Sequence, residues 1–120
     1  PFEVEDPKQA FSDAAFEIAA AKQELNALGV DFFDLPKASP KAEKTKAACM
    51  QVIGYLLHEP LLLQSVHKTA CLPGKTLMQE LGVNSKVLER HRKYILAGLV
   101  ILGGDYPTLQ GYFDTRKGVR

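Results

Sequence analysis

Apolar residues recur along this chain at intervals of three and four, a pattern that writes a succession of amphipathic helices. Phe11, Ala14, Ala15, Ile18, Ala21, Leu25 and Leu28 form the first such stripe. Asp6-Pro7-Lys8-Gln9 precedes it with an N-cap, a proline at the first helical position and a capping-box glutamine. Gly29 follows as a C-terminal cap, so the spacing predicts a helix of about 20 residues. Val30 to Pro36 reads as a loop in which one of Phe32 and Phe33 anchors on the core, since neighbours in extended chain point opposite ways. Ser39-Pro40 repeats the cap-and-proline signal and predicts a second long helix reaching His58, with Ala48, Val52, Tyr55 and Leu56 inward. Lys41, Lys44 and Lys46 in its first turns read as a solvated face of little use to a phosphate. Pro60 opens a shorter third helix. Leu61, Leu62, Leu63 and Val66 are more apolar than one buried stripe needs, which places that helix at the centre of the core.

Residues 72–107 carry the grammar of a helix-turn-helix. Leu77 and Leu81 lie on one face of a short helix beginning near Lys75, and Gly82 can take the positive φ that ends it. Val83 is apolar and fits between two helices, and Asn84 and Ser85 are both good N-caps. A single second helix is expected from Ser85 to Leu102, stopped by Gly103-Gly104. Lys86, Glu89, Arg90 and Lys93 share one face of it, and Leu88, Ile95, Leu99 and Leu102 share the other. A polar start and an apolar end suit a helix whose N-terminal half enters the DNA major groove. Ser85 and Lys86 would hold a phosphate through a hydroxyl and exposed N–H groups. Arg90 can fork onto guanine and Glu89 can accept from cytosine, whereas Arg92 and Lys93 sit one turn on, toward phosphate. Asp105-Tyr106-Pro107 starts one more short helix through Phe113. Residues 1–5 read as a frayed lead-in and 114–120 as a disordered basic tail. The expected fold is one all-α domain over 1–120, of about five to six helices. It comprises N-terminal helices over 6–71, then the helix-turn-helix and closing helix over 72–113.

Charge sharpens this picture. The net charge is only +1, but residues 1–65 hold six Lys/Arg against ten Asp/Glu, and residues 66–120 hold nine against four. The basic half is the helix-turn-helix half, so one end suits DNA and the other suits protein or solvent. Cys49 and Cys71 form no C-x-x-C pair and read as reduced thiols of a cytosolic domain. No apolar run is long enough for membrane insertion, and no signal peptide is present. The chain begins at Pro1 rather than Met, which points to a piece of a longer protein. His58, His67, Cys49 and Cys71 match no metal-ligand spacing, and no phosphate loop, nucleophile elbow or paired-carboxylate signature occurs. Hence no catalytic residue, metal or cofactor is expected. His91, between two arginines, is expected to be a structural histidine bonded to backbone or to a neighbour.

The run LERHRKYILAGLVILGGDYPTLQGYF resembles the C-terminal signature of SigI-type alternative sigma factors of Gram-positive bacteria. The preceding L-P-x-K-x-L, the turn Gly82-Val83-Asn84-Ser85-Lys86 and Gly29 with Ser39-Pro40-Lys41 fit the same family. The match is specific over residues 72–113 and looser, though collinear, over 7–71. The resemblance implies a C-terminal domain that contacts the promoter −35 element and works with core RNA polymerase. The domain that melts and reads the −10 element would lie outside this chain. It also implies inhibition by the N-terminal domain of a membrane-anchored RsgI-type anti-sigma factor. Such pairs serve polysaccharide sensing in clostridia, and a related factor serves heat stress in bacilli. On matching positions it gives the DNA-contact role to Ser85, Lys86, Glu89, Arg90 and Lys93. The other reading is a helical interaction domain that mainly docks the anti-sigma factor or the polymerase. The acidic N-terminal half and the apolar residues Phe32, Phe33 and Leu61–Leu63 motivate it.

Overall fold

The first stripe folds as its spacing predicts, into α1 over Pro7–Ala27. This computed structural model describes residues 7–113, with side chains described over 13–111. The expected cap Asp6, the lead-in and the basic tail therefore lie outside the described residues. At the other end of α1, Gly29 takes φ 78°. Its N–H donates to the Asn26 carbonyl at 3.0 Å, and the Val30 N–H donates to the Leu25 carbonyl at 2.9 Å. This double closure satisfies carbonyls the helix leaves open, and both Val30 and Leu25 are buried beneath it.

The segment expected as a loop is instead a 3-10 turn, Phe32–Asp34, running directly into a one-turn helix α2, Leu35–Ala38. Asp31 starts it by accepting the Phe33 N–H at 3.0 Å. Phe32 packs on the core as the anchoring aromatic, and Phe33 is 73% exposed, with Lys22 Nζ 5.0 Å from its ring centroid. Ser39 does not begin the next helix. Its hydroxyl donates to the Leu35 carbonyl at 2.7 Å and so closes α2. The second long helix, α3, starts four residues later and runs Glu43–Leu57. A serine hydroxyl serves whichever backbone group lies near it, and here that group belongs to the turn before.

α4, Pro60–Thr69, corrects a second expectation: it lies on the periphery, packed mainly against α3. Only Val66 of its apolar residues is buried, Leu62 and Leu63 are half-buried, and Leu61 is 80% exposed. The centre belongs to α7, Arg92–Gly103, which packs against α1, α2, α3, α6 and α8. Every residue from Tyr94 to Ile101 is buried, as expected of a helix that is apolar all round. α5, Gly74–Leu81, and α6, Ser85–Arg90, sit at one end of it. The single helix expected over 85–102 is thus two, α6 and α7, parted at His91. No strand occurs among the described residues, so the chain is all-α.

α8, Pro107–Phe113, closes the fold by a set of polar contacts that explain the G-G-D-Y-P run. A Cβ on Gly104 would meet the Val100 carbonyl oxygen and the Tyr106 ring, each at 2.8 Å, so only glycine lets the chain turn there. The Tyr106 hydroxyl donates to Glu24 on α1 at 2.9 Å. Burial first, and then that bond, pushes its phenol up to about 12. Gln110 donates to the Ile101 and Gly104 carbonyls, capping the end of α7. The buried Glu17 of α1 accepts the N–H groups of Leu109 at 2.9 Å and Thr108 at 3.2 Å, which caps α8 from another helix.

Burial works to raise the Glu17 pKa, but the bonds from Leu109 and Thr108 outweigh it and hold the carboxyl below its ordinary 4.5. A depressed carboxyl contributes stability above that ordinary value, and the contribution is lost as pH falls through the lower folded value. Thermal melts between pH 6 and pH 3 are therefore expected to fall more steeply for the native chain than for Glu17→Gln. Equal slopes would show that the cap adds no acid-labile stability.

Candidate nucleic-acid interface

α5, a three-residue turn and α6 form the exposed end of the molecule. Gly82 ends α5 in the left-handed region, at φ 67°, and its N–H donates to the Met78 carbonyl at 2.9 Å. Val83 is buried, with Leu77 from α5 and Leu88 from α6, so three apolar side chains fix the angle between the two helices. Met78, on α5, remains partly exposed. Asn84 is the N-cap: its carboxamide oxygen accepts the Lys86 N–H at 2.7 Å. Its carbonyl takes the Val87 N–H at 3.1 Å. The Lys86 and Val87 amides are thereby satisfied within the chain, so what Lys86 offers a ligand is its ammonium rather than its N–H.

Ser85, Lys86, Glu89 and Arg90 all lie exposed on the outer face of α6. The two other expected DNA-contact residues, Arg92 and Lys93, fall after the break and are half-buried. Arg92 Nη1 donates to the Ala70 carbonyl at 3.1 Å. Ala70 is the residue that ends α4 at φ 60°, and among the described residues it is the one non-glycine in that region. A left-handed alanine costs about 1 kcal/mol, and the arginine holds the peptide that follows it. Lys93 Nζ lies 3.1 Å from Asp34 Oδ2 in an ion pair that ties α7 to the 3-10 turn.

His91 divides these two groups. It is buried, and its Nδ1–H donates to the Ala38 carbonyl at 2.6 Å, 53 residues away in sequence. A carbonyl can only accept, so that ring nitrogen carries the proton. The structural role expected of this histidine is the one it has. The backbone there takes φ −110°, ψ 21°, yet the His91 N–H still reaches Val87 and its carbonyl still receives Ile95. Those two bonds close α6 and open α7, one on each side of the break. Lys93 still lines a groove with Arg90, but its ammonium is engaged there by Asp34. Nothing local in the sequence signals the turn, because its cause is a carbonyl on α2.

Cys49 is buried, which pushes its thiol up to about 11, and Cys71 is exposed; both are free. Among the described residues no three His, Cys, Asp or Glu side chains converge as metal ligands, and no helix is long and apolar enough to cross a membrane.

No protein-family model matches the chain. Its sequence is similar to curated sigma factors. RNA polymerase sigma factor SigI7 of Acetivibrio thermocellus is 33% identical over 98 residues, covering 82% of this chain and 42% of the relative. RNA polymerase sigma factor SigI of Bacillus subtilis is 34% identical over 103 residues, covering 86% and 40%. That of Bacillus anthracis is 30% identical over 88 residues, covering 73% and 37%. The chain spans well under half the length of these relatives. Over the region it shares with them, this chain belongs to the SigI-type RNA polymerase sigma factors.

Proposed function

We propose that this chain is the C-terminal, promoter-reading domain of a SigI-type sigma factor, with α5 and α6 as its helix-turn-helix. In this reading α6 contacts the −35 element from the major groove. The observation that carries it is the two-sided character of α6: Ser85, Lys86, Glu89 and Arg90 are exposed while Leu88 seats the inner side in the core. Arg90 is the residue for guanine O6 and N7, and Glu89 for cytosine N4. The Ser85 hydroxyl and the Lys86 ammonium serve phosphates and set register. Arg92 holds the end of α4 in place. Lys93 reaches a phosphate by exchanging Asp34 for it.

One recognition helix makes few phosphate contacts, so the isolated domain binds weakly and in a salt-sensitive way. Core RNA polymerase and a second promoter element supply the rest by linkage. The chain recognises rather than reacts, works in the cytoplasm, and is silenced when an RsgI-type anti-sigma domain binds it. Arg90→Ala is expected to cost about 1–3 kcal/mol on cognate duplex, roughly 5- to 150-fold in Kd, and to relax discrimination at one base pair. Fluorescence anisotropy measures this, and an unchanged affinity would sink the assignment.

The exposed Phe33 and Leu61 support a second reading, a docking domain for the anti-sigma factor or the polymerase. NMR titration separates the two. Shifts over Gly82–Lys93 with duplex favour promoter reading. Silence there, with tight binding of the anti-sigma domain, favours docking.

A further inference from the structure

We infer that the DNA-facing surface extends beyond α6 to two lysines from the acidic half of the chain, Lys44 on α3 and Lys37 on α2. These lysines grip the phosphate strand that runs along one side of the recognition helix. The inference rests on the promoter-reading assignment and adds to it the residues that hold the duplex.

Residues 37–46 contain Lys37, Lys41, Lys44 and Lys46 against Glu43 alone, a basic stretch inside a half that is otherwise acidic. In the sequence it stands about 40 residues from α6 and reads as a solvated face. The fold moves it alongside. A shallow groove of about 240 Å³ separates α3 from the α5–α6 turn, with Lys44 and Thr45 on one wall and Gly82, Asn84 and Val87 on the other. A second groove, of about 370 Å³, brings Lys37 beside Arg90 and Lys93, with Asp34 at its edge. Lys37 and Lys44 are both exposed. Asn84, Val87 and Arg90 follow one another at intervals of three, so both grooves run along the same side of α6, with Lys44 near its start and Lys37 near its end.

That arrangement fits a duplex better than a protein. The major groove is about 12 Å wide and bounded by two phosphate strands, so a helix lying in it has a phosphate strand along each side, and a basic stripe along one side of the helix faces one of them. The first groove sets Lys44, Thr45, Gln51 and Asn84 beside Leu81 and Val87, and the second is charged apart from Ala38, whereas the centre of a protein interface is depleted of charge. The chain's own Asp34 is already matched by Lys93, so it does not neutralise Lys37 as well.

The test is the salt dependence of duplex binding by the full 120-residue chain and by Lys37→Ala/Lys44→Ala. Each lost phosphate contact should lower the slope of log affinity against log salt by about 0.9. For the double variant, the affinity lost between 50 and 200 mM salt then shrinks by about tenfold. Discrimination between a duplex with a candidate −35 element and a scrambled one should stay as it was, because phosphate contacts carry no sequence. Lys37→Arg/Lys44→Arg should keep the native slope, and circular dichroism melts should match throughout. An unchanged slope in the alanine variant, with Arg90→Ala still weakening binding, overturns the inference and leaves promoter reading standing. So does weaker binding at an unchanged slope. Lack of duplex binding by the native chain at low salt overturns both. An intact duplex slope combined with loss of binding to an acidic protein partner would reassign the stripe to that partner.

Discussion

Leu96→Ala is expected to destabilise the domain by about 3–5 kcal/mol, whereas Leu61→Ala is expected to change it by less than about 0.5 kcal/mol. Leu96 is fully buried on α7, and α7 has packed neighbours on nearly every side. Truncation there removes apolar contacts and leaves a cavity, whose cost rises by roughly 24 cal/mol per Å³ where the walls cannot relax inward. Helices held on several faces relax little, so the upper part of the usual range applies. Leu61 is already in water over most of its surface, and its removal leaves no cavity. Urea unfolding followed by circular dichroism gives both numbers. A large loss for Leu61→Ala would return α4 to the central place that its four apolar residues suggest.

His91→Ala is the second large effect, about 1–3 kcal/mol of stability for the hydrogen bond alone. The imidazole and the Ala38 carbonyl are both shielded from water, so deletion leaves a buried acceptor without its donor. The loss is expected to reach DNA as well. The bond holds the turn between α6 and α7, and without it the two helices relax toward one continuous rod and carry Arg90 with them. Duplex affinity should then fall although His91 touches no base. The paired measurements are urea unfolding and anisotropy on the same preparation. Stability lost at unchanged duplex affinity would mean that the turn at His91 does not orient α6.

Much of this was legible in the residues because it is local. Gly29, Gly82 and Gly104 stand where the backbone ends a helix, and Pro7, Pro60 and Pro107 stand where one begins. The cap at Asn84 needs only the Lys86 amide two residues on. Ser39 misled for the same reason that capping rules work: the hydroxyl has two backbone turns within reach, and it closes the earlier one. Glu17 carried no signal at all. A glutamate on an otherwise apolar stretch of α1 looks solvated until α8 brings two amides to it from more than 90 residues away.

The candidate interface divides along the same line. Which residues α6 can offer to DNA, namely Ser85, Lys86, Glu89 and Arg90, follows from helical periodicity and from the glycine before them. That Arg92 and Lys93 are drawn into other contacts does not, since Ala70 and Asp34 reach them only through the packing of α4 and the 3-10 turn. By itself, then, the sequence determined an all-helical chain, those helix termini that a glycine or proline marks, and a short polar helix presented after a turn. Tertiary structure decided which helix is central, where the long helix breaks, and which cations lie beside α6. Those outcomes depend on contacts between distant segments, and no periodicity within one segment records them.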